Sequence, residues 1–226
     1  MATPLLLVVH GRSGGVIPEV YQLLARELEQ RRQAPVALRA LTAPPPEPGA
    51  GPAAGDRRLT LVPLLLLPGN HARVDLPVLA RQLRPTPAVV PAGAGVRRLP
   101  FLGAWPAWQQ ALAAELVALA DPVAGGEWLP ARPPLLLHHP LEGPLALRYL
   151  AHLQRSLGCC CLAAPYSSPH PEEPALAIDG PVLPLALAAN RLTERLEPQL
   201  GQRRAAPLLE RPRLRQLLLE QLAALP

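Results

Sequence analysis

Two histidines offer the most direct chemistry in this sequence. His10 closes the apolar run Leu5–His10 (LLLVVH) and is followed by Gly-Arg-Ser-Gly-Gly, and His71 lies in the stretch Leu59–Pro77 (LTLVPLLLLPGNHARVDLP). Each stands where an apolar strand gives way to a turn. Neutral imidazoles so placed hold a borderline divalent ion such as Fe, Co, Ni or Zn, or accept protons near neutral pH. Either histidine alone reads better as a hydrogen-bonded strand-end residue; their parallel settings put the functional reading of the pair on an equal footing. In a right-handed parallel unit the first and third strands are able to be neighbours, and ligands bind where the carboxyl ends of such strands open.

The elements that would carry them follow from periodicity. Apolar runs of this length are too short for a bilayer and suit strands buried on both faces of a parallel sheet. After Leu5–His10 comes a glycine turn, then helical spacing from Val16 to Arg32 (Val16, Val20, Leu24, Leu28), a second strand at Val36–Leu41, and a Pro/Gly/Ala-rich loop at Ala43–Gly55. Leu59–Leu67 is the third strand. Asp75 and Pro77 then mark the first turn of a helix reaching about Leu83, with Asp75 favoured there by the helix dipole. A short fourth strand at Ala88–Ala92 and a helix at Trp105–Ala120 complete one half, and Asp121–Pro134 reads as a linker.

Beyond the linker the pattern restarts. PPLLLHHP (Pro133–Pro140) aligns with PLLLVVHG (Pro4–Gly11) and sets His139 opposite His10, while LPLALAANRL (Leu183–Leu192) echoes VPLLLLPGNH (Val62–His71) with Leu192 in the place of His71. A helix at Gly143–Leu157, strands at Cys159–Ala164 and Val182–Ala188, and a helix from Arg191 fill this part. The expected fold is α/β: two similar Rossmann-like halves, 1–122 carrying the site and 123–226 degenerate, each a mostly parallel sheet flanked by helices.

Composition narrows the partners. The formal charge is +5 and every positive charge is arginine, since the chain has no lysine; with 32 prolines this follows the amino-acid bias of GC-rich coding more than a nucleic-acid footprint. Aromatics are too sparse, at 3%, for a base-stacking platform, whereas a polyanionic small ligand suits the charge. No signal peptide or membrane span is legible, so a cytoplasmic, soluble protein is expected, with no nucleic-acid or membrane partner. Cys159, Cys160 and Cys161 are consecutive and read as small apolar residues of a buried strand. A rival reading lies in Gly11-Arg-Ser-Gly-Gly15, which matches Gly-x-Ser-x-Gly between a strand and a helix and would make Ser13 the nucleophile of a serine hydrolase. No acid or base partner for Ser13 stands out; of the further histidines, His138, His152 and His170, spacing selects none.

LLLVVHGR followed by VPLLLLPGNHARVDLP resembles the sirohydrochlorin chelatases of the CbiX and SirB type. Their pattern is an apolar strand ending in His-Gly-Ser-Arg and a later Val-Pro-Leu-Phe-Leu, Gly-x-His, Asp-Ile-Pro. LPFLGAWPAW (Leu99–Trp108) is similar to that family's Pro-Leu-Gly-x-x-Pro stretch, and LPLALAANRLTERL (Leu183–Leu196) to its second-half counterpart. The resemblance implies two Rossmann-like halves facing across a cleft and a lyase that inserts Fe²⁺ or Co²⁺ into sirohydrochlorin, for siroheme or cobalamin synthesis, without a nucleotide; a non-catalytic tetrapyrrole- or metal-binding relative is the alternative. It implies His10 and His71 as catalytic and metal-binding residues, with the metal a substrate, and a chain acting as monomer or homodimer. Arg12, Arg73 and the turn amides about Ser13 and Gly14 are the expected contacts to the substrate's carboxylates. The chain departs from the pattern in three places: Arg12 and Ser13 are exchanged, Ala40 stands where the family has an acid in its second strand, a loss that another acid such as Asp75 would have to make good, and the Ala43–Gly55 loop replaces a helix.

Overall fold

A computed structural model of the chain describes residues 2–44, 58–83, 95–120, 133–164, 181–200 and 205–226. The first sheet is formed by β1 (Leu5–Val9), β2 (Val36–Ala40), β3 (Leu59–Pro63) and β4 (Val96–Arg98), all parallel, in the order β2-β1-β3-β4. All five residues of β1 are buried. A central parallel strand covered on both faces has no polar side to show, which is why it reads as a continuous apolar run.

The helix α1 (Glu19–Arg32) returns the chain from β1 to β2 and buries Tyr21, Leu24, Ala25 and Leu28. It starts at Glu19 and not at Val16, because the three preceding residues are extended or turn and Pro18 takes the cap position. From β2 the chain crosses to the other side of β1 to form β3. The boundary between β1 and β3 is therefore the point where the strand order reverses, and crevices for ligands open at the carboxyl ends of such a pair. Leu6, Val8, Leu61 and Leu65 of the sheet side pack with Leu76 and Leu79 of α2 (Leu76–Gln82).

Near the other end of α1, Arg32 is buried among carbonyls. Its guanidinium donates to Thr3 O (2.7 Å), Leu222 O (2.7 Å) and Leu225 O (2.7 Å), tying the chain end to β1 and α1. Burial lowers its pKa, and the carbonyl acceptors are what make a buried guanidinium tolerable.

The second sheet has β5 (Leu135–His138) between β6 (Cys160–Ala163) and β7 (Val182–Pro184), again all parallel. Its register repeats that of the first. Val8 lies opposite Pro63 and Leu137 opposite Pro184; Leu64 N–H donates to Val8 O and Leu185 N–H to Leu137 O, both at 2.8 Å. His139 thus occupies the place of His10, as the alignment of the two strands expected. The repeat extends to the short turns Leu102–Ala104 and Leu208–Glu210. In the first, Ala104 and Trp105 donate back to Phe101 and Leu102; in the second, Glu210 and Arg211 donate back to Pro207 and Leu208. Pro106 and Pro212 then open α3 (Pro106–Ala120) and the last helix, α6 (Pro212–Ala223).

By contacts the chain forms two compact units, Met1–Trp105 with Leu218–Pro226, and Pro106–Leu217. Within the second, α3 packs on α4 (Pro144–Leu157) and β7, and α5 (Arg191–Leu200) contributes Leu192 and Leu196 to a core with Leu137, Ala164 and Val182.

Several expected boundaries move. β3 stops at Pro63 and β7 at Pro184, where a residue without an N–H interrupts the ladder. The strand that pairs with β3 is Val96–Arg98, inside the segment read as a glycine-rich connection; the expected strand Ala88–Ala92 lies outside the described residues, as do most of the Ala43–Gly55 and Asp121–Pro134 segments and His170. The helix expected from Arg191 is followed by a separate one, α6. The three cysteines are free thiols at the start of β6. Among the described residues, no helix is long and apolar enough to cross a membrane.

His138 ends β5 at 3% exposure, its Nδ1–H donating to His139 O at 2.6 Å. Burial holds its pKa below the ordinary histidine value, and the hydrogen bond offsets part of that. The unfolded chain therefore binds this proton more readily than the folded one. The contribution to stability is complete above the unfolded-state pKa of about 6.5 and falls as pH drops below it. In thermal melts, the loss of Tm between about pH 7.5 and 5.5 is expected to be smaller in His138→Phe than in wild type; an equal or larger loss would contradict the assignment.

Candidate metal-handling site

β1 delivers His10 directly. The strand pairing continues past its end, since Leu41 N–H donates to Val9 O (2.9 Å) and Thr42 N–H to His10 O (3.2 Å). Gly11 turns the chain with φ +79, and the Thr42 hydroxyl donates to Arg12 O at 2.7 Å. The end of β2 thus holds the turn that presents His10.

His71 arrives differently. β3 ends eight residues earlier in the sequence, and the chain runs through Pro68 and Gly69 into a π turn at His71–Asp75 before α2. In that wide turn Leu76 N–H bonds back to His71 O, one residue further than in an α-helix. Pro77 follows at the start of α2; having no N–H, it leaves Arg73 O without the usual α-helical donor, a known cause of local departure from α geometry. His71 is therefore a first-turn residue of the helical segment, whereas the sequence placed it at the strand end and started the helix at Asp75.

The two imidazoles meet. Their centres are 4.6 Å apart and the rings are nearly perpendicular, at 83°. With metal–nitrogen bonds of about 2.0–2.1 Å, two imidazoles at roughly 90° on one ion would have centres about 4.5 Å apart. The separation suits a shared ion.

Their hydrogen bonds also fix the protons. His10 Nδ1 lies 2.8 Å from Gly11 O, and His71 Nδ1 lies 2.5 Å from Asp75 Oδ2. A carbonyl and a carboxylate only accept, so in neutral imidazoles both Nδ1 atoms carry the hydrogen and both Nε2 atoms present a lone pair. This is the form that ligates a metal or takes up a proton. Among the described residues no group of three or more His, Cys, Asp or Glu is placed to hold a metal, so a two-nitrogen site would leave most of an ion's coordination sphere open.

Residues 4–118 match the family model described as CbiX, just over half of the 226-residue chain. The chain belongs to the CbiX family. No curated protein matches it in sequence. Among solved structures, this CbiX chain is similar to SirB from Bacillus subtilis with Fe3+, at 17% identity and a TM-score of 0.65, over 99% of this chain and 96% of that one. It is also similar to CbiX, the terminal enzyme for biosynthesis of siroheme in denitrifying bacteria, at 20% identity and a TM-score of 0.58, over 99% and 100%. At these identities the likeness establishes the α/β fold of two parallel sheets.

The other expected residues of the CbiX chain divide by place. Arg12 directly follows the His10 turn and Arg73 lies on the π turn two residues beyond His71; both are exposed. Ser13 and Gly14 form an exposed 3-10 turn in which Gly15 N–H bonds back to Arg12 O, and Arg12 N–H is taken by Val16 O. That turn is separated from α1 by Pro18, so its amides do not form the expected helix N-terminus. Nor is Ser13 at a strained elbow: among the described residues the one non-glycine with positive φ is Gln33. Ala40, in the position of the family's acid, ends β2 beside Val9 and is buried.

Of the residues that support the site, Thr42 carries no sequence signal apart from following β2. Asp75 reads in the sequence chiefly as a helix-dipole residue and only secondarily as a substitute acid, although its i+4 spacing from His71 is the signal for their contact. In the second sheet the place of His71 is taken by Leu192, buried under an ordinary helix start in which Asn190 Oδ1 accepts from the Leu192 and Thr193 amides.

Proposed function

We propose that this chain inserts a divalent metal, Fe²⁺ or Co²⁺, into sirohydrochlorin, without a nucleotide, in siroheme or cobalamin synthesis. The observation that carries the reading is the contact between His10 and His71 at the β1/β3 switch point, both offering Nε2. Membership of the CbiX family supports it, as do the names of the two similar structures, one a SirB with Fe3+ and the other a terminal enzyme of siroheme biosynthesis.

Metal insertion exchanges one dication for two pyrrole N–H protons, so the core's charge is unchanged and two protons must leave. Two imidazoles meet both needs: they hold a partly hydrated ion on one side of the macrocycle, and once it has moved they accept protons. A two-histidine grip is weak enough to let the ion go. Arg12 and Arg73, with the Ser13–Gly14 turn, would receive carboxylates of the substrate rim through charge-assisted hydrogen bonds.

An anaerobic absorbance assay of sirohydrochlorin with Co²⁺ or Fe²⁺ tests the reading. Insertion by the wild-type chain should exceed the spontaneous rate with at least one of the two ions. Tight binding of sirohydrochlorin with no rate above background would instead identify a non-catalytic tetrapyrrole binder, a reading that Ala40 in place of an acid favours.

A further inference from the structure

The hydrogen bond from His71 to Asp75 is too exposed to be explained by stability. The two side chains are 39% and 45% accessible, and ion pairs that face water contribute about 0–1 kcal/mol at most. Yet the backbone departs from α geometry over the residues His71–Asp75 that the bond spans, and π turns concentrate at functional positions.

We propose that Asp75 is a positioning residue that fixes the tautomer and aim of His71 for metal transfer; this rests on the reading of His71 as a metal-handling residue. A free histidine side chain in water favours the Nε2–H form, which has its lone pair on Nδ1. That form would place the hydrogen on Nε2, the nitrogen that Asp75 leaves unbonded, and so block it as a ligand. The Asp75 carboxylate can only accept, so it holds the proton on Nδ1, leaves Nε2 open and restricts rotation of the ring. His10 reaches the same state through a backbone carbonyl, that of Gly11, which no side-chain substitution removes. Asp75 is therefore the one acceptor of the pair that is open to mutation.

The tautomer is directly measurable. In ¹⁵N–¹H correlation spectra of the full chain at fixed pH, His71 should show a protonated Nδ1 and a bare Nε2. Asp75→Ala should shift it mainly to the Nε2–H form and weaken Co²⁺ binding, followed by its visible absorption bands, by about 10–100-fold. Asp75→Asn, placing its amide oxygen where Oδ2 lies, should keep the wild-type tautomer and bind Co²⁺ within a few-fold of wild type. An Nε2–H form of His71 in the wild-type chain, or an unchanged tautomer in Asp75→Ala, would overturn the proposal. A shifted tautomer with unchanged Co²⁺ affinity would overturn it too, by separating the hydrogen bond from metal handling. If instead both readouts behave as expected while the wild-type chain fails to metallate sirohydrochlorin, the positioning role stands and the chelatase reading falls.

Discussion

His10→Ala and His71→Ala are each expected to lower metal insertion into sirohydrochlorin by at least about 100-fold, the usual span for losing a positioned proton-transfer group. On the proposed reading, each variant removes one of the two Nε2 lone pairs and so half of the hold on the ion. Because that reading has both nitrogens act on one ion and one macrocycle, the effects should not add. The double variant should fall within a few-fold of the slower single one, as for catalytic groups that work as a unit. His139→Ala is the matched control: it changes the same strand position in the second sheet, where the counterpart of His71 is Leu192. Rates of both single variants near wild type would remove the site, and an equal loss in His139→Ala would remove its assignment to the first sheet.

The parts of this site that were legible in the sequence are those set by local patterns. β1 reads as a strand because all five residues are buried, and His10 follows because the strand ends where Gly11 must turn. The duplication was legible down to the residue, because Pro63 and Pro184 mark the same rung in two registers. What stayed hidden depends on local backbone geometry. Asp75 looked like a helix-start residue because an α-helix beginning there is the ordinary consequence of Asp-Leu-Pro; the π turn moves the start back to His71 and places the carboxylate on the ring. β4 was missed because a three-residue edge strand of Val-Arg-Arg has no apolar run. α6 was missed because its turn repeats Leu102–Ala104 in backbone hydrogen bonds far more than in residue types.

Gly11 is where fold and site meet most tightly, and Gly11→Ala is expected to destabilise the chain by about 2–5 kcal/mol. Two costs combine. At φ +79 a Cβ is disfavoured by about 1–2 kcal/mol. The new methyl would also stand 2.6 Å from the Ala40 Cβ and 2.7 Å from the Thr42 hydroxyl oxygen, closer than packed atoms sit, and forced overpacking of this kind costs about 1–3 kcal/mol. The neighbours have little room to yield: Ala40 is buried at the end of β2, and Thr42 is held by Arg12 O and His10 O. Relief would have to come from the turn itself, which carries His10, so metal insertion should fall together with stability. A double-mutant cycle in urea separates the two costs. In the Ala40→Gly background the clash with Ala40 is gone while the φ penalty and the Thr42 contact remain, so Gly11→Ala should cost less there by about 1 kcal/mol or more. An equal cost in both backgrounds would show that the contact with Ala40 adds nothing, leaving the positive φ and the Thr42 contact to make glycine necessary beside His10.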